Sequence, residues 1–343
     1  MAYTLRFAPP VPERPRHRIQ PVFIPYAGCP YRCIFCAQKL QTGTGEEALE
    51  TRLAALEASL EKAVAEKEDA RELAFYGGTF TALSMDEQLR CLKVAARYKK
   101  EGLILRVRAS TRPDAVRAKN LATLRHHGLD MLELGVQSFD NEVLARSRPG
   151  YTGEEAMYAC ATVRENGLGL GVQLMPGLPG MSAAVFRADI QKTIDARPEA
   201  LRLYPCLVIE GTPLAELWRQ GAYKPWGLNE TIMLLAGALI AAERRDIAVI
   251  RMGLAPEPGL QPAILAGPEH PALGSRVRGR ALHGIVRLKC QKLGRQPRKL
   301  CLPHRLRGEF SGHRGELLPL YKELGIDAAT LHWHDKPYCE LVG

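Results

Sequence analysis

The chain has 343 residues, 46% of them hydrophobic and 24% charged, with a formal net charge of +10. This composition is that of a globular protein and excludes a disordered or fibrous chain. No apolar run approaches the ~18 residues of a membrane span, and residues 1–20 are rich in Arg and Pro where a secretory signal has an apolar centre.

From residue 20 to about 250, short runs of β-formers alternate with longer amphipathic stretches. The runs predict strands at Pro21–Pro25, Leu73–Tyr76, Ile104–Arg108, Met131–Val136, Leu170–Met175 and Leu201–Tyr204. Helices are predicted over 46–68, where Leu49, Leu53, Leu56 and Leu60 share a face, and over 84–99. The second opens at Ser84 with Glu87 three residues on, a capping box. Residues 154–166, 182–196 and 230–244 continue the alternation. Repeated strand–helix order means parallel strands joined by helical crossovers. Six such units predict an α/β fold, a partial (β/α)6 TIM-like barrel with its chemistry at the C-terminal strand ends.

From about residue 266, Gly, Pro and Arg become dense. A strand is predicted at Lys299–Leu302, a helix at Glu316–Leu324 and a last strand near Ala329–His332, together a small α/β appendage. The expected division is an N-terminal extension over 1–19, the barrel over 20–265 and the appendage over 266–343. Between residues 275 and 315 stand twelve Lys or Arg against one acid, Glu309. That imbalance points to a polyanionic partner, most simply nucleic acid; the plain alternative is a solvated basic face.

Nine cysteines occur, three of them as Cys29, Cys33 and Cys36. A C-x3-C-x2-C loop can ligate three irons of a cubane that ordinarily takes four cysteines, leaving one iron open. An open position separates a reactive metal site from a structural one. Zinc sites draw four ligands from paired spacings, and the one histidine close in sequence is His17. An odd number of otherwise scattered cysteines argues against a disulfide framework and for a reducing cytoplasm. Cys290, Cys301, His304 and His313 are candidates for a second metal, although their spacing fits no standard pattern. His126 and His127 read as helix surface.

The expected strand ends carry unusual residues. Gly77-Gly78-Thr79 follows the second strand, Ser110-Thr111-Arg112 the third, Gln137-Ser138 the fourth and Met175-Pro176-Gly177 the fifth. Gly77 and Gly78 suit a backbone that must approach a ligand or take positive φ. Arg112 suits a carboxylate or phosphate. Gln137, ending an apolar strand, needs partners that a ligand can supply. Phe35 can shield a cluster or stack on a flat ligand.

Cys29-x3-Cys33-x2-Cys36 with an aromatic residue before the last cysteine resembles the radical S-adenosylmethionine superfamily, and Gly77-Gly78-Thr79 resembles its Gly-Gly motif. Tyr76–Phe80, Thr111–Asp114, Glu133–Ser138, Met175–Pro179 and Leu203–Thr212 are similar to the radical domain of the Elongator complex catalytic subunit and its shorter bacterial relatives. The resemblance implies a [4Fe-4S] cluster on the three cysteines, with S-adenosylmethionine chelating the open iron. Reductive cleavage would give a 5′-deoxyadenosyl radical that abstracts a substrate hydrogen. Gly77 and Gly78 would meet the methionine amino group, Gln137 would sit by the ribose or methionine, and Gln173 to Met175 would line the adenine side. Pro149 stands where the branch often has arginine, so that role passes to Arg148 or Arg146 or is absent. The length leaves no room for an acetyltransferase domain, and acetyl transfer is not implied.

The leading expectation is a cytoplasmic radical enzyme acting on RNA, most simply tRNA, reduced by a reductase or a flavodoxin- or ferredoxin-type donor. A radical enzyme on a small molecule or tetrapyrrole, as in oxygen-independent coproporphyrinogen oxidase, is the second. A non-catalytic iron–sulfur RNA-binding protein is the third.

Overall fold

The computed structural model of the chain describes residues 4–10, 17–30, 32–43, 45, 47–255 and 257–343. The first residue of the predicted 46–68 helix and parts of the 1–19 extension lie outside the described residues. In chain order the strands are β1 Thr4–Phe7, β2 Ile19–Phe23, β3 Arg71–Tyr76, β4 Ile104–Thr111, β5 Met131–Gln137, β6 Gly169–Leu174, β7 Ala200–Leu203, β8 Val208–Ile209, β9 Ala248–Met252, β10 Ile264–Ala266, β11 Lys299–Pro303, β12 Leu331–His334 and β13 Cys339–Val342. The helices are α1 Gln38–Thr42, α2 Leu49–Ala65, α3 Met85–Lys100, α4 Ala118–His126, α5 Asn141–Ser147, α6 Gly153–Glu165, α7 Ala183–Ala196, α8 Pro213–Arg219, α9 Leu228–Glu243, α10 Leu273–Leu293, α11 Arg307–Ser311 and α12 Leu318–Glu323.

A parallel sheet in the order β2-β3-β4-β5-β6-β7-β9 curls into an open half-barrel with helices around it. This is the partial TIM-like α/β fold that the alternation predicts. Six strands fall on the predicted runs, displaced by a few residues at their ends. The seventh, β9, is not foreseen. It exposes three of its five residues, Arg251 among them, and so lacks the apolar run of a central strand.

Side chains alternate across a strand, and that alternation separates core from cavity. Leu73 and Phe75, Val107 and Ala109, Leu132 and Leu134, Leu170 and Val172, and Leu201 and Leu203 are all buried in one apolar core. Burying such a side chain stabilises by roughly 1.5–3 kcal/mol. Between them, Glu133 and Arg202 face the opposite way and line a cavity, as do Tyr76, Ser110, Gly135 and Gln173 further along the same strands. The helices start at defined points. Ser84 Oγ accepts from Glu87 N at 3.2 Å while Ser84 N donates to Glu87 Oε2 at 2.8 Å, so the capping box forms. Thr152 and Glu155 repeat it on α6. Each cap is worth about 1 kcal/mol.

A four-stranded sheet, in the order β1-β13-β11-β12, builds the C-terminal region. The first described strand is therefore part of it: Thr4 pairs with Val342 and Phe7 with Cys339. Helix α10 is also unforeseen, because Gly, Arg and His dilute its apolar stripe. Its Leu273, Val277 and Ala281 belong to the barrel core, and its Leu282 and Val286 to a smaller core with Leu300, Leu302, Phe310 and Tyr321. Gly279 lets α10 approach α11, since a Cβ there would lie 2.7 Å from the Glu309 carbonyl oxygen.

Candidate active site

After β2 the chain turns into the cysteine loop, and backbone contacts lock that loop to the tip of β3. Ile24 N donates to Tyr76 O at 2.8 Å and Thr79 N to Ala27 O at 2.7 Å. Gly78 has φ +74°, and a Cβ on it would lie 2.4 Å from Ala27 O. Both demands can be met only by glycine. Gln38, two residues past the last cysteine, ties the two tips: its Oε1 accepts from Tyr26 N at 2.6 Å and from Gly78 N at 3.2 Å. Away from the tips, Ile34 N donates to Ser147 O at 3.4 Å and Leu214 N to Ile34 O at 3.0 Å.

These elements bound a cavity of about 370 Å³. Cys29, Cys33, Cys36 and Phe35 line it, together with Gly77, Gly78, Ser110, Arg112, Gln137, Gln173 and Met175. The sequence-predicted residues are thus brought to one place, with two exceptions. Thr79 is fully buried, its Oγ1 3.2 Å from Cys29 Sγ. Arg148 caps α5 with φ 50° and, with Arg146, lines a different cavity. Neither arginine lines the first cavity. Arg112 lines the first cavity, yet its fork is held by Asp114 through bonds of 3.0 and 2.9 Å and by the carbonyl of Pro149.

Gln137 is held in an unusual conformation. Its φ is +65°, at an irregularity in the β5–β6 register. The buried Tyr151 donates to Gly135 O at 2.5 Å and to Val136 O at 3.2 Å, fixing the strand just before it. Gly135 has no Cβ where the Gln137 amide folds back, 2.8 Å away. Gln173 Nε2 then donates to Gln137 Oε1 at 3.3 Å. A non-glycine residue in this region signals strain held by its surroundings.

Away from the cysteines, the cavity meets a buried ionic cluster that strand patterning alone does not reveal. Glu133 lies between Arg108, at 2.9 Å, and Arg202, at 2.5 Å. Tyr76 OH donates to Glu133 at 2.8 Å, Arg202 donates to Tyr76 and Tyr204, and Arg108 pairs with Glu72 at 2.8 Å. Burial opposes the charge on Arg202, yet Tyr204 and Glu133 beside it raise its pKa. Burial raises the Tyr76 hydroxyl strongly as well. Gly171 makes room, because a Cβ there would lie 2.8 Å from Glu133 Cγ. The signal in the sequence was the charged residues inside otherwise apolar strands.

Burial pushes the Cys33 thiol up to about 11, with Arg112 opposing and Cys29 adding, and that of Cys36 up to about 12, with Cys33 and Cys29 adding. The three sulfurs therefore sit within electrostatic reach of one another on one cavity wall. Among the described residues, no three His, Cys, Asp or Glu side chains close around a single ion, the loop cysteines included. Three thiols on one cavity wall are the donor type a cubane takes, one thiolate per iron. The second-metal candidates do not gather: His313 packs on His270, His304 on Trp333, and Cys301 is buried.

Comparison with known proteins bears on the same residues. The radical SAM superfamily model matches residues 23–192 and the radical SAM C-terminal domain model residues 198–281. The tRNA uridine(34) acetyltransferase of Methanocaldococcus infernus is 32% identical over 254 residues, 62% of this chain and 47% of that protein. The enzyme of the same name from Methanocaldococcus jannaschii is 35% identical over 188 residues, covering 35% of its length. The chain thus spans about half or less of these curated relatives. In fold, it is similar to archaeal Elp3 of Methanocaldococcus infernus, with a TM-score of 0.56 and 24% identity over 81% of this chain and 64% of that one. Two adjoining family models run from the end of β2 to the middle of α10, and on that match the protein belongs to the radical SAM superfamily of enzymes, with Elongator-type proteins among its relatives.

Proposed function

We propose that the first cavity holds a [4Fe-4S] cluster on Cys29, Cys33 and Cys36 with S-adenosylmethionine beside it, and that the enzyme abstracts a hydrogen from RNA, most simply a tRNA. The observation that carries this reading is the shared cavity: three thiols and a glycine tip, joined by Gln38, on one wall. When bound, the pair supplies reductive cleavage and hydrogen abstraction, chemistry that belongs to the cofactor. This chain's part is to bind, orient and shield. The N–H groups of Gly78 and Thr79 are already committed to Gln38 and Ala27. The tip therefore offers carbonyls, which suit an ammonium group. Phe35 covers the loop; Gln137, Gln173 and Met175 offer amides and a thioether to the nucleoside portion; and Ser110 and Arg112 complete the wall.

An RNA substrate is supported by the names of the relatives and by charge. Arg276 is paired with Glu316, and Arg278 lies 3.6 Å from Glu309. Arg287, Lys292, Arg295 and Arg298 are exposed and have no carboxylate partner among the described residues. Their charge is available to phosphates. The division into barrel and basic appendage at about residue 266 is proposed on the smaller core around Leu300, Leu302 and Tyr321, with β1 of the 1–19 extension joining the appendage sheet. Among the described residues, no helix is long and apolar enough to cross a membrane, and all nine cysteines are free; a cytoplasmic setting fits that chemistry. A small anionic substrate is the second reading, supported by Arg251, a cation at the cavity without a carboxylate partner among the described residues.

Anaerobically reconstituted protein should form 5′-deoxyadenosine from S-adenosylmethionine, and no product above a Cys33→Ala control would sink the enzyme reading. tRNA should bind in a salt-sensitive way, lost when Arg287, Lys292, Arg295 and Arg298 are neutralised. Comparing tRNA nucleosides with and without the gene identifies the product. No difference there, with cleavage intact, moves the reading to a small substrate.

A further inference from the structure

The cavity lined by Arg146 and Arg148 has a volume of about 440 Å³ and shares no lining residue with the first. It nevertheless abuts the cysteine loop. Arg146 and Arg148 flank Ser147, whose carbonyl accepts the N–H of Ile34, the residue after Cys33. Another lining residue, Leu217, belongs to α8, whose Leu214 donates to Ile34 O. Two residues, Ile34 and Ser147, and the hydrogen bond between them therefore separate Cys33 from this surface.

Its charge is one-sided. Arg146, Arg148 and Lys224 are exposed, no acidic residue lines the cavity, and none of the three has a carboxylate partner among the described residues. The surface is also built. Arg146 lies across Gly180, where a Cβ would approach its Cδ to 2.9 Å. Trp226 packs edge-on against Phe186, and Tyr223 OH donates to Gly177 O at 2.6 Å. Tryptophan and arginine are among the residue types enriched at protein interfaces, and this surface carries Trp226, Arg146 and Arg148.

We propose that this cavity docks an acidic one-electron carrier protein of the flavodoxin or ferredoxin class, an inference that rests on the cluster reading above. One electron leaves the carrier, which is oxidised by one electron, and enters the cluster, which is reduced by one; no atom or proton is transferred. Charge complementarity selects an acidic partner and speeds its encounter. RNA is also anionic, but a substrate must enter the first cavity, which shares no lining residue with this one, whereas an electron donor needs only to come close to the cysteine loop.

The test uses the full chain with its cluster assembled anaerobically and a reduced bacterial flavodoxin as probe. Cluster reduction is followed by absorbance and electron paramagnetic resonance at two salt concentrations. The wild type should be reduced in a salt-sensitive way, and Arg146→Glu/Lys224→Glu should slow flavodoxin-driven reduction about tenfold or more, with reduction by dithionite unchanged. Lys224→Glu alone, outside the helix that carries Ser147, should show part of the loss and guards against a disturbed loop. An unchanged flavodoxin rate in both variants would overturn the docking site. So would loss of tRNA binding with donor-driven reduction intact, which would make the surface an RNA contact. Failure of the cluster reading looks different: neither flavodoxin nor dithionite would then reduce the protein.

Discussion

Gln38 accepts a hydrogen bond from the N–H of Gly78 at 3.2 Å, across a separation of 40 residues. The same oxygen accepts from Tyr26 N at 2.6 Å. This amide adds a side-chain tie to the backbone bond from Thr79 N to Ala27 O that joins the cysteine loop to the glycine tip. Gln38→Ala would leave two part-buried donors unsatisfied, at a cost of about 1–3 kcal/mol. The dissociation constant for S-adenosylmethionine, measured calorimetrically, should rise roughly tenfold. Gln38→Glu, which keeps an acceptor, should recover most of it. An unaltered constant in the alanine variant would mean that the bond positions nothing.

Gln137 should trade stability for binding. Its φ of +65° favours glycine, so Gln137→Gly should relieve strain of about 1 kcal/mol. The urea midpoint should then rise while affinity for S-adenosylmethionine falls with loss of the amide. Gln137→Ala removes the amide and keeps the strain, which separates the two effects. If Gln137→Gly is no more stable than Gln137→Ala, the strain account fails.

Glu133 answers two buried arginines. Glu133→Ala would leave Arg108 and Arg202 without their shared carboxylate, at a cost of roughly 3–5 kcal/mol. Gly171→Val should act in the same direction by pushing Glu133 aside, as a Cβ would lie 2.8 Å from Glu133 Cγ. Urea denaturation checks both. The double variant should lose less than the sum of the two, because both act on the same carboxylate.

Glu243, at the end of α9, is pushed up to about 7 by burial alone. The folded state therefore keeps the proton longer than the unfolded state. This contribution is fully present below the ordinary value of 4.5 and is lost as pH rises toward 7. Glu243→Gln should match the wild type at pH 4 and exceed it at pH 8, by on the order of 1 kcal/mol given its partly solvated position. Denaturation curves at the two pH values give the difference, and equal stability at pH 8 would refute it.

The outer faces of the strands were legible because a parallel sheet buries them as continuous Leu, Val and Phe positions. Strand β9 was not, since an edge strand need bury only part of itself, and Arg251 breaks its run. The cysteine loop and the strand tips could be read because their residue types have few other uses. The Glu133 cluster could not: Tyr76 and Arg202 stand 126 residues apart, and nothing local announces that they meet. Arg148 shows a further limit. Its motif position suggested a ligand role, but the left-handed turn that ends α5 sets it on another surface. The basic stretch after residue 275 was visible as charge, whereas which charges are spent on Glu316 and Glu309 depends on how α10 packs.

The pairing of β1 with β13 bears on synthesis. Arg6 meets Glu340 at 2.7 Å, a partner made 334 residues later. A ribosome has therefore produced every barrel strand, and the cysteine loop, before the small sheet can close. Nascent chains fold domain by domain from the N-terminus. Strand β1 must wait for β13 through that process, so the small sheet closes only after the barrel strands have been made.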